Sequence, residues 1–317
     1  MSQTTSQVRV IPDQVYSRAG GVARLADVYI PSAPGVEPSV VIWLHGGGWR
    51  FGDRHLAPDL KSFAAEAGLA VVSIDYRLSD EATFPAAVVD VKTAVRWVKG
   101  VCAAFGLNGR RVGLWGSSAG GHLAAVAALS TAEEFRSEEH AAYQSDVDAV
   151  VDGYGPTNFG LIDQERTAMA AMRTDAESRL VGEVLPVSHP DSFESKFLGV
   201  AVRPSLREVM FADPVHYVRP DAPPFLILHG QADSLIPVSQ SRYLFDALCT
   251  ASTEATLLLF EKLSHGFFNS SNLVTTDVGT VNVTQSPAAK SSARWGCDPF
   301  AAIFPMVGSF FRAHLAQ

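Results

Sequence analysis

Gly116-Ser117-Ser118-Ala119-Gly120 is the stretch on which the reading of this chain turns. A short apolar run, Arg111-Val-Gly-Leu-Trp-Gly116, leads into it, and an alanine-rich, helix-prone run, Gly121-His122-Leu-Ala-Ala-Val-Ala-Ala-Leu129, leads out. Strand, tight turn and helix form the context in which G-x-S-x-G carries chemistry. Ser118 is predicted at the apex of the turn, on strained backbone that lifts its hydroxyl clear of the sheet. Gly116 and Gly120 are small because the turn is crowded on both sides, and Gly121 extends that small surface where helix meets strand. The helix N-terminus behind the serine supplies a positive field where an oxyanion could form. An ordinary Gly/Ser turn is the plain alternative, and the rest of the chain decides between them.

Working outward, Val40-Val-Ile-Trp-Leu44 is a continuous apolar run, as expected of a strand buried on both faces. It ends in His45-Gly46-Gly47-Gly48-Trp49. Three glycines in a row cost backbone entropy, and they make sense where N–H groups must approach something closely. Leu69–Asp75, Val147–Val151, Phe225–His229 and Ala255–Phe260 read as further strands, with an antiparallel edge pair over residues 8–30. Helical spacing of Val88, Val91, Val95, Val98 and Cys102 predicts a helix from Pro85 to Phe105. Val238–Leu248 and 299–315 read as helices as well. Residues 158–212 are cut by prolines into short helices and are expected to form a cap insertion over the sheet's carboxyl edge. Residues 269–298 form an unusual long loop, with Val274–Val283 able to pair as a hairpin.

Strands alternating with helices predict an α/β architecture: a mostly parallel sheet covered on both faces, in one domain over 1–317. Ligands in such sheets bind beyond the carboxyl ends of the strands. His45, Ser118, Asp233 and His265 all fall just past a predicted strand's carboxyl end. Ser118, Asp233 and His265 supply what a serine nucleophile requires, a base within reach and an acid to orient it. Asp233 could instead cap a helix, and His265 could be structural. His45 is expected to fix the shape of the glycine loop, and Asp75 to brace it or the Tyr76-Arg77 turn. Asp213 is a rival acid. The oxyanion would be met by the N–H groups of Gly47, Gly48 and Ala119, and the substrate by Trp49, Tyr154, Phe159 and Phe267.

The composition, 47% hydrophobic and 18% charged, argues against disorder, and the net charge of −8 leaves no basic footprint for nucleic acid. Cys102, Cys249 and Cys297 are too few and scattered for a disulfide framework or zinc site, and no H-E-x-x-H or comparable spacing occurs. No metal or cofactor is therefore called for. No apolar run reaches the length of a membrane span and no secretory signal is visible, so a soluble cytoplasmic protein is expected. A homodimer is compatible with all of this.

His45-Gly-Gly-Gly-Trp49, Asp75-Tyr-Arg-Leu78, Phe84-Pro-Ala86, Gly116-Ser-Ser-Ala-Gly-Gly121, Gly230-Gln-Ala-Asp233 and Ser264-His-Gly-Phe267 together resemble the α/β-hydrolase-fold serine esterases. The resemblance is greatest to the hormone-sensitive-lipase-like carboxylesterases and the bifunctional feruloyl/acetyl-xylan esterase branch, and spans about residues 20–268 and the last helix. It implies the α/β-hydrolase fold, with Ser118 as nucleophile, His265 as base and Asp233 as its partner. Little precedes the first strands where many lipase-like relatives carry a helical cap, and Trp49 favours the feruloyl/acetyl-xylan branch. The expected activity is carboxylic-ester hydrolysis of a small or aryl ester through an acyl-enzyme. Amide, formamide or carbamate cleavage by the same triad, and a non-catalytic ligand-binding protein of this fold, are the alternatives.

Overall fold

The computed structural model of the chain describes residues 7–32, 35, 37–172, 185–269, 277–289 and 303–316. Nine strands among these residues form one sheet: β1 Val8–Ser17, β2 Arg24–Pro31, β3 Ser39–Leu44, β4 Ala70–Ile74, β5 Asn108–Ser117, β6 Ala149–Gly153, β7 Phe225–Gly230, β8 Ala255–Phe260 and β9 Val281–Gln285. Their spatial order is β1-β2-β4-β3-β5-β6-β7-β8-β9. The six strands from β3 to β8 run parallel, while β1, β2 and β9 join their neighbours antiparallel.

The unbroken apolar run in β3 is explained by its two-residue alternation. Val40, Ile42 and Leu44 enter one hydrophobic core while Val41 and Trp43 enter the other. The first core is closed by helices α2 (Ala86–Phe105) and α3 (Ala119–Leu129), whose inward positions include Val88, Val91, Val95 and Leu123. The second is closed by α1 (Leu60–Ala67) and the last described helix (Ile303–Leu315), through Phe63, Val307, Phe310 and Phe311. Strand β5 contributes to both, with Val112 and Leu114 on one side and Trp115 on the other. Turned both ways by buried side chains, these central strands are open to a ligand at their ends.

Between β6 and β7 the chain forms α4 (Phe159–Met172), α5 (Phe193–Leu198) and α6 (Arg207–Ala212). Aromatic contacts tie this segment to the loop after β3: Phe197 stacks on Trp49 with centroids 4.6 Å apart, and Phe159 meets the same indole at 5.5 Å. Helix α7 (Ser239–Thr250) follows β7, and the closing helix, Ile303–Leu315, is α8.

The described end of Val274–Val283, the stretch able to pair as a hairpin, joins the sheet. Val281–Gln285 pairs antiparallel with β8, Phe260 opposite Val281, and so extends the sheet edge. The first part of that stretch, to residue 276, lies outside the described residues, as do Cys297 and the start of the expected 299–315 helix. β8 lies at an otherwise open sheet edge, whose unpaired N–H and C=O groups recruit whichever strand can reach them. Among the described residues no helix is long and apolar enough to cross a membrane.

Candidate active site

β5 ends at Ser117 and α3 begins at Ala119, so Ser118 alone makes the turn between strand and helix. It holds φ +53° and ψ −119°, a conformation that costs a non-glycine residue roughly 1–3 kcal/mol. Its N–H donates to Gly153 O at 2.7 Å and its carbonyl accepts from His122 N–H at 3.0 Å, which pin the strained residue from both sides. The glycines are dictated by contact. A Cβ on Gly116 would stand 2.1 Å from Gly120 O, and one on Gly120 would stand 2.1 Å from Leu44 O. Helix α3 is thereby pressed against the ends of its own strand and of β3, which leaves the Ser118 side chain partly exposed at the apex.

His265 Nε2 lies 2.9 Å from Ser118 Oγ, and His265 Nδ1 lies 2.7 Å from Asp233 Oδ2. A carboxylate accepts, so the ring hydrogen sits on Nδ1 and Nε2 is left to accept the serine proton. Asp233 is buried, 2% exposed, in the loop after β7. Its Oδ1 accepts from the N–H groups of Leu235 at 2.8 Å and Ile236 at 2.9 Å. Burial alone would push this carboxyl up, but hydrogen bonds from His229 and His265 and their charges hold it well below the usual carboxylate range. The three side chains, 147 and 32 positions apart in sequence, thus form one hydrogen-bonded relay.

The loop after β3 curls at Gly47 (φ +108°) and Gly48 (φ +61°), with Arg50 and Phe51 N–H both donating to Gly47 O. A Cβ on Gly47 would meet Phe51 O at 2.2 Å, so no other residue fits the curl. His45 braces it: its Nδ1 lies 2.7 Å from Gly46 O, its ring stacks on Tyr76 at 4.2 Å, and Tyr76 OH donates to His45 O at 2.8 Å. Asp75 secures the far end by accepting from Arg54 N–H and Nη1. Among the described residues, no loop or turn hydrogen bond uses the N–H of Gly47, Gly48 or Ala119.

A cavity of about 220 Å³ opens on Ser118 and His265. Its lining includes Gly47, Gly48, Trp49 and Phe51 of the loop after β3, Tyr154 after β6, Phe193 and Glu194 of α5, and Leu235 and Ile236 beside Asp233. Glu194 is buried, 4% exposed, and burial pushes its carboxyl up despite Arg166, whose Nη2 lies 3.4 Å away. Arg166 Nε also donates to Leu235 O at 2.8 Å and so ties α4 to the Asp233 loop. Among the described residues no group of three or more His, Cys, Asp or Glu side chains is gathered to hold a metal ion.

Comparison with known proteins gives the family. The family described as BD-FAE matches residues 26–248, well over half the chain. The chain belongs to the BD-FAE family. It is 31% identical over 249 residues to Esterase LipC of Mycobacterium tuberculosis, covering 77% of this chain and 57% of that protein. It is 34% identical over 232 residues to Esterase LipQ of the same organism, covering 72% and 50%. The chain thus spans about half the length of the curated relatives it matches. A truncated carbohydrate esterase from gut microbiota superposes with a TM-score of 0.67 at 25% identity, over 86% of this chain and 94% of that one. The fold is that of the α/β-hydrolases.

Within this BD-FAE chain, Trp49 and Tyr154 line the cavity as the sequence suggests, but Phe159 and Phe267 do not. Phe159 is fully buried behind Trp49, stacked on His122 at 5.1 Å. Phe267 is 5% exposed and packs on Tyr154 and Phe260 beneath the His265 loop. Both follow polar turns that invite a reading as pocket wall, yet each ring gains more by closing a core. Asp213, the rival acid, accepts Phe159 N–H at 2.8 Å and braces the start of α4. Phe193, Glu194, Leu235 and Ile236 were not anticipated. Leu235 and Ile236 could have been found as neighbours of Asp233, whereas no motif marks Phe193 or Glu194.

Proposed function

We propose that this protein is a serine carboxylic-ester hydrolase that works through an acyl-enzyme. The observation that carries the reading is the relay itself, with Ser118 Oγ 2.9 Å from His265 Nε2 and the ring held by Asp233. Ser118 Oγ attacks the ester carbonyl as His265 Nε2 takes its proton. Asp233 keeps the tautomer correct and stabilises the imidazolium. The oxyanion is met by Gly47, Gly48 and Ala119 N–H at the N-terminus of α3, where a negative charge is favoured. His265 returns the proton to the leaving alcohol, then deprotonates a water that releases the acid and regenerates Ser118.

The cavity, about 220 Å³, is below the roughly 300–1,000 Å³ of drug-sized ligand sites, which favours a small ester or one whose alcohol projects past the exposed Phe51 and Phe193. Relatives named as esterases support the bond class. The test is hydrolysis of p-nitrophenyl acetate against p-nitroacetanilide. Wild type is expected to cleave the ester much faster than the anilide, and Ser118→Ala to lose ester turnover by about 10⁴-fold or more. Equal rates for wild type and Ser118→Ala would exclude the mechanism, and anilide preference would move it to amides.

A further inference from the structure

The Asp233 carboxylate has a second histidine beside it. His229, the fifth residue of β7, is fully buried, and nothing in the proposed reaction uses it. Its Nε2 lies 3.0 Å from Ile236 O and 3.2 Å from Asp233 Oδ2. Both neighbours only accept, so the ring hydrogen must be on Nε2, pointed chiefly at the carbonyl with the weaker arm on the carboxylate. On the opposite edge Nδ1 lies 2.7 Å from Ser241 Oγ in α7, which donates to it and so fixes the same tautomer.

These bonds close a ring around the acid. Ile236 N–H donates to Asp233 Oδ1, Ile236 O accepts from His229, and His229 faces Oδ2, where His265 also donates. We infer that His229 is a positioning residue of the triad: its Nε2–H holds the Ile236 peptide and Asp233 Oδ2 in the geometry that His265 requires, and shares the charge of the carboxylate with it. The inference rests on the serine-hydrolase reading above.

The charged and titratable groups facing His229 are Asp233 and, beyond it, His265 from the loops, with Asp152 and the Tyr154 ring, 6.4 Å away, from the β6 end. Asp152 and Tyr154 do not donate to Oδ2. Removing the His229 donor therefore leaves more negative charge on Oδ2 for the His265 ring, favours its protonated form, and moves the acid limb of the kcat/KM profile to higher pH. A packing role alone would lower stability and leave that limb in place.

Two measurements decide it. In ¹⁵N-labelled full-length wild type, long-range ¹H–¹⁵N imidazole spectra are expected to show a buried ring protonated on Nε2, assigned to His229 by its loss in His229→Gln; a ring protonated on Nδ1 overturns the inference. The second compares His229→Gln, whose amide nitrogen can occupy the place of Nε2, with His229→Asn, which cannot reach it. His229→Gln is expected to keep the wild-type pH profile. His229→Asn is expected to lose about tenfold in kcat at unchanged KM, the worth of about one net hydrogen bond. Its acid limb is expected to move to higher pH. Profiles that superimpose for wild type and both variants overturn it. The tautomer is read without turnover, so an inactive wild type would count against the esterase reading and leave this test standing; the test also stands if His229→Asn fails to fold.

Discussion

Replacing Asp233 by asparagine tests the relay at the point where the structure constrains it most. The carboxylate has N–H groups on both oxygens: Leu235 and Ile236 on Oδ1, His265 on Oδ2 with His229 beside it. An asparagine has one oxygen and one NH₂ to fit the same space. With its oxygen at the Oδ1 position it satisfies both loop amides; reversed, it sets its NH₂ against two N–H groups, each costing roughly 1–3 kcal/mol if left unpaired. The first orientation is therefore adopted, and the NH₂ then donates to His265 Nδ1. That moves the ring hydrogen to Nε2, where it faces Ser118 Oγ and cannot accept its proton. To react, the ring must carry a hydrogen on Nδ1 against the NH₂. Two opposed buried donors at roughly 1–3 kcal/mol each, plus roughly 1.5–3 kcal/mol of lost charge-assisted bonding, come to about 5 kcal/mol. At about 1.4 kcal/mol per decade, kcat is expected to fall about 10⁴-fold with KM nearly unchanged. The assay is p-nitrophenyl acetate turnover on protein whose melting curve shows it folded. A folded Asp233→Asn within tenfold of wild-type kcat would refute the tautomer argument.

Gly48→Ala places a methyl 2.8 Å from the Phe193 ring, and although the half-exposed ring can turn aside, φ +61° strains any non-glycine residue by roughly 1–3 kcal/mol, so Tm should fall by a few degrees while kcat falls about 10²-fold as one N–H is re-aimed. Unchanged kcat would remove Gly48 from the oxyanion site. Gly120→Ala meets unyielding backbone, Leu44 O at 2.1 Å, and is expected to destabilise by about 3 kcal/mol in urea titration; an unchanged midpoint would contradict the packing of α3 on β3. Burial pushes the Asp213 carboxyl up to about 7, above its unfolded value of about 4. The folded state therefore binds the extra proton between those values, and wild-type stability from this group falls as pH rises from about 4 to about 7. Asp213→Asn keeps an acceptor for Phe159 N–H and should match wild type near pH 4 but exceed it at pH 8 by on the order of 2–4 kcal/mol. A constant difference across that range would show that the group does not titrate as buried.

The order of the elements, the elbow and the identities of Ser118, Asp233 and His265 are legible in the sequence because each rests on a local rule. A strand buried on both faces must be apolar throughout. A turn with Gly120 pressed on Leu44 O admits nothing larger, and an acid or base past a strand's carboxyl end stands at the open rim of the sheet. The wall of the cavity follows no such rule. Phe159 and Phe193 are both aromatic residues of the segment between β6 and β7, yet one is sealed behind Trp49 and the other lines the cavity. Likewise Val281–Gln285 carries the same alternation whether it pairs with a neighbour in sequence or with β8. Local pattern and turn chemistry determined the fold and the candidate triad. Only the packing of distant segments decided which rings and carboxylates line the cavity, because burial is shared among partners that the chain order does not name.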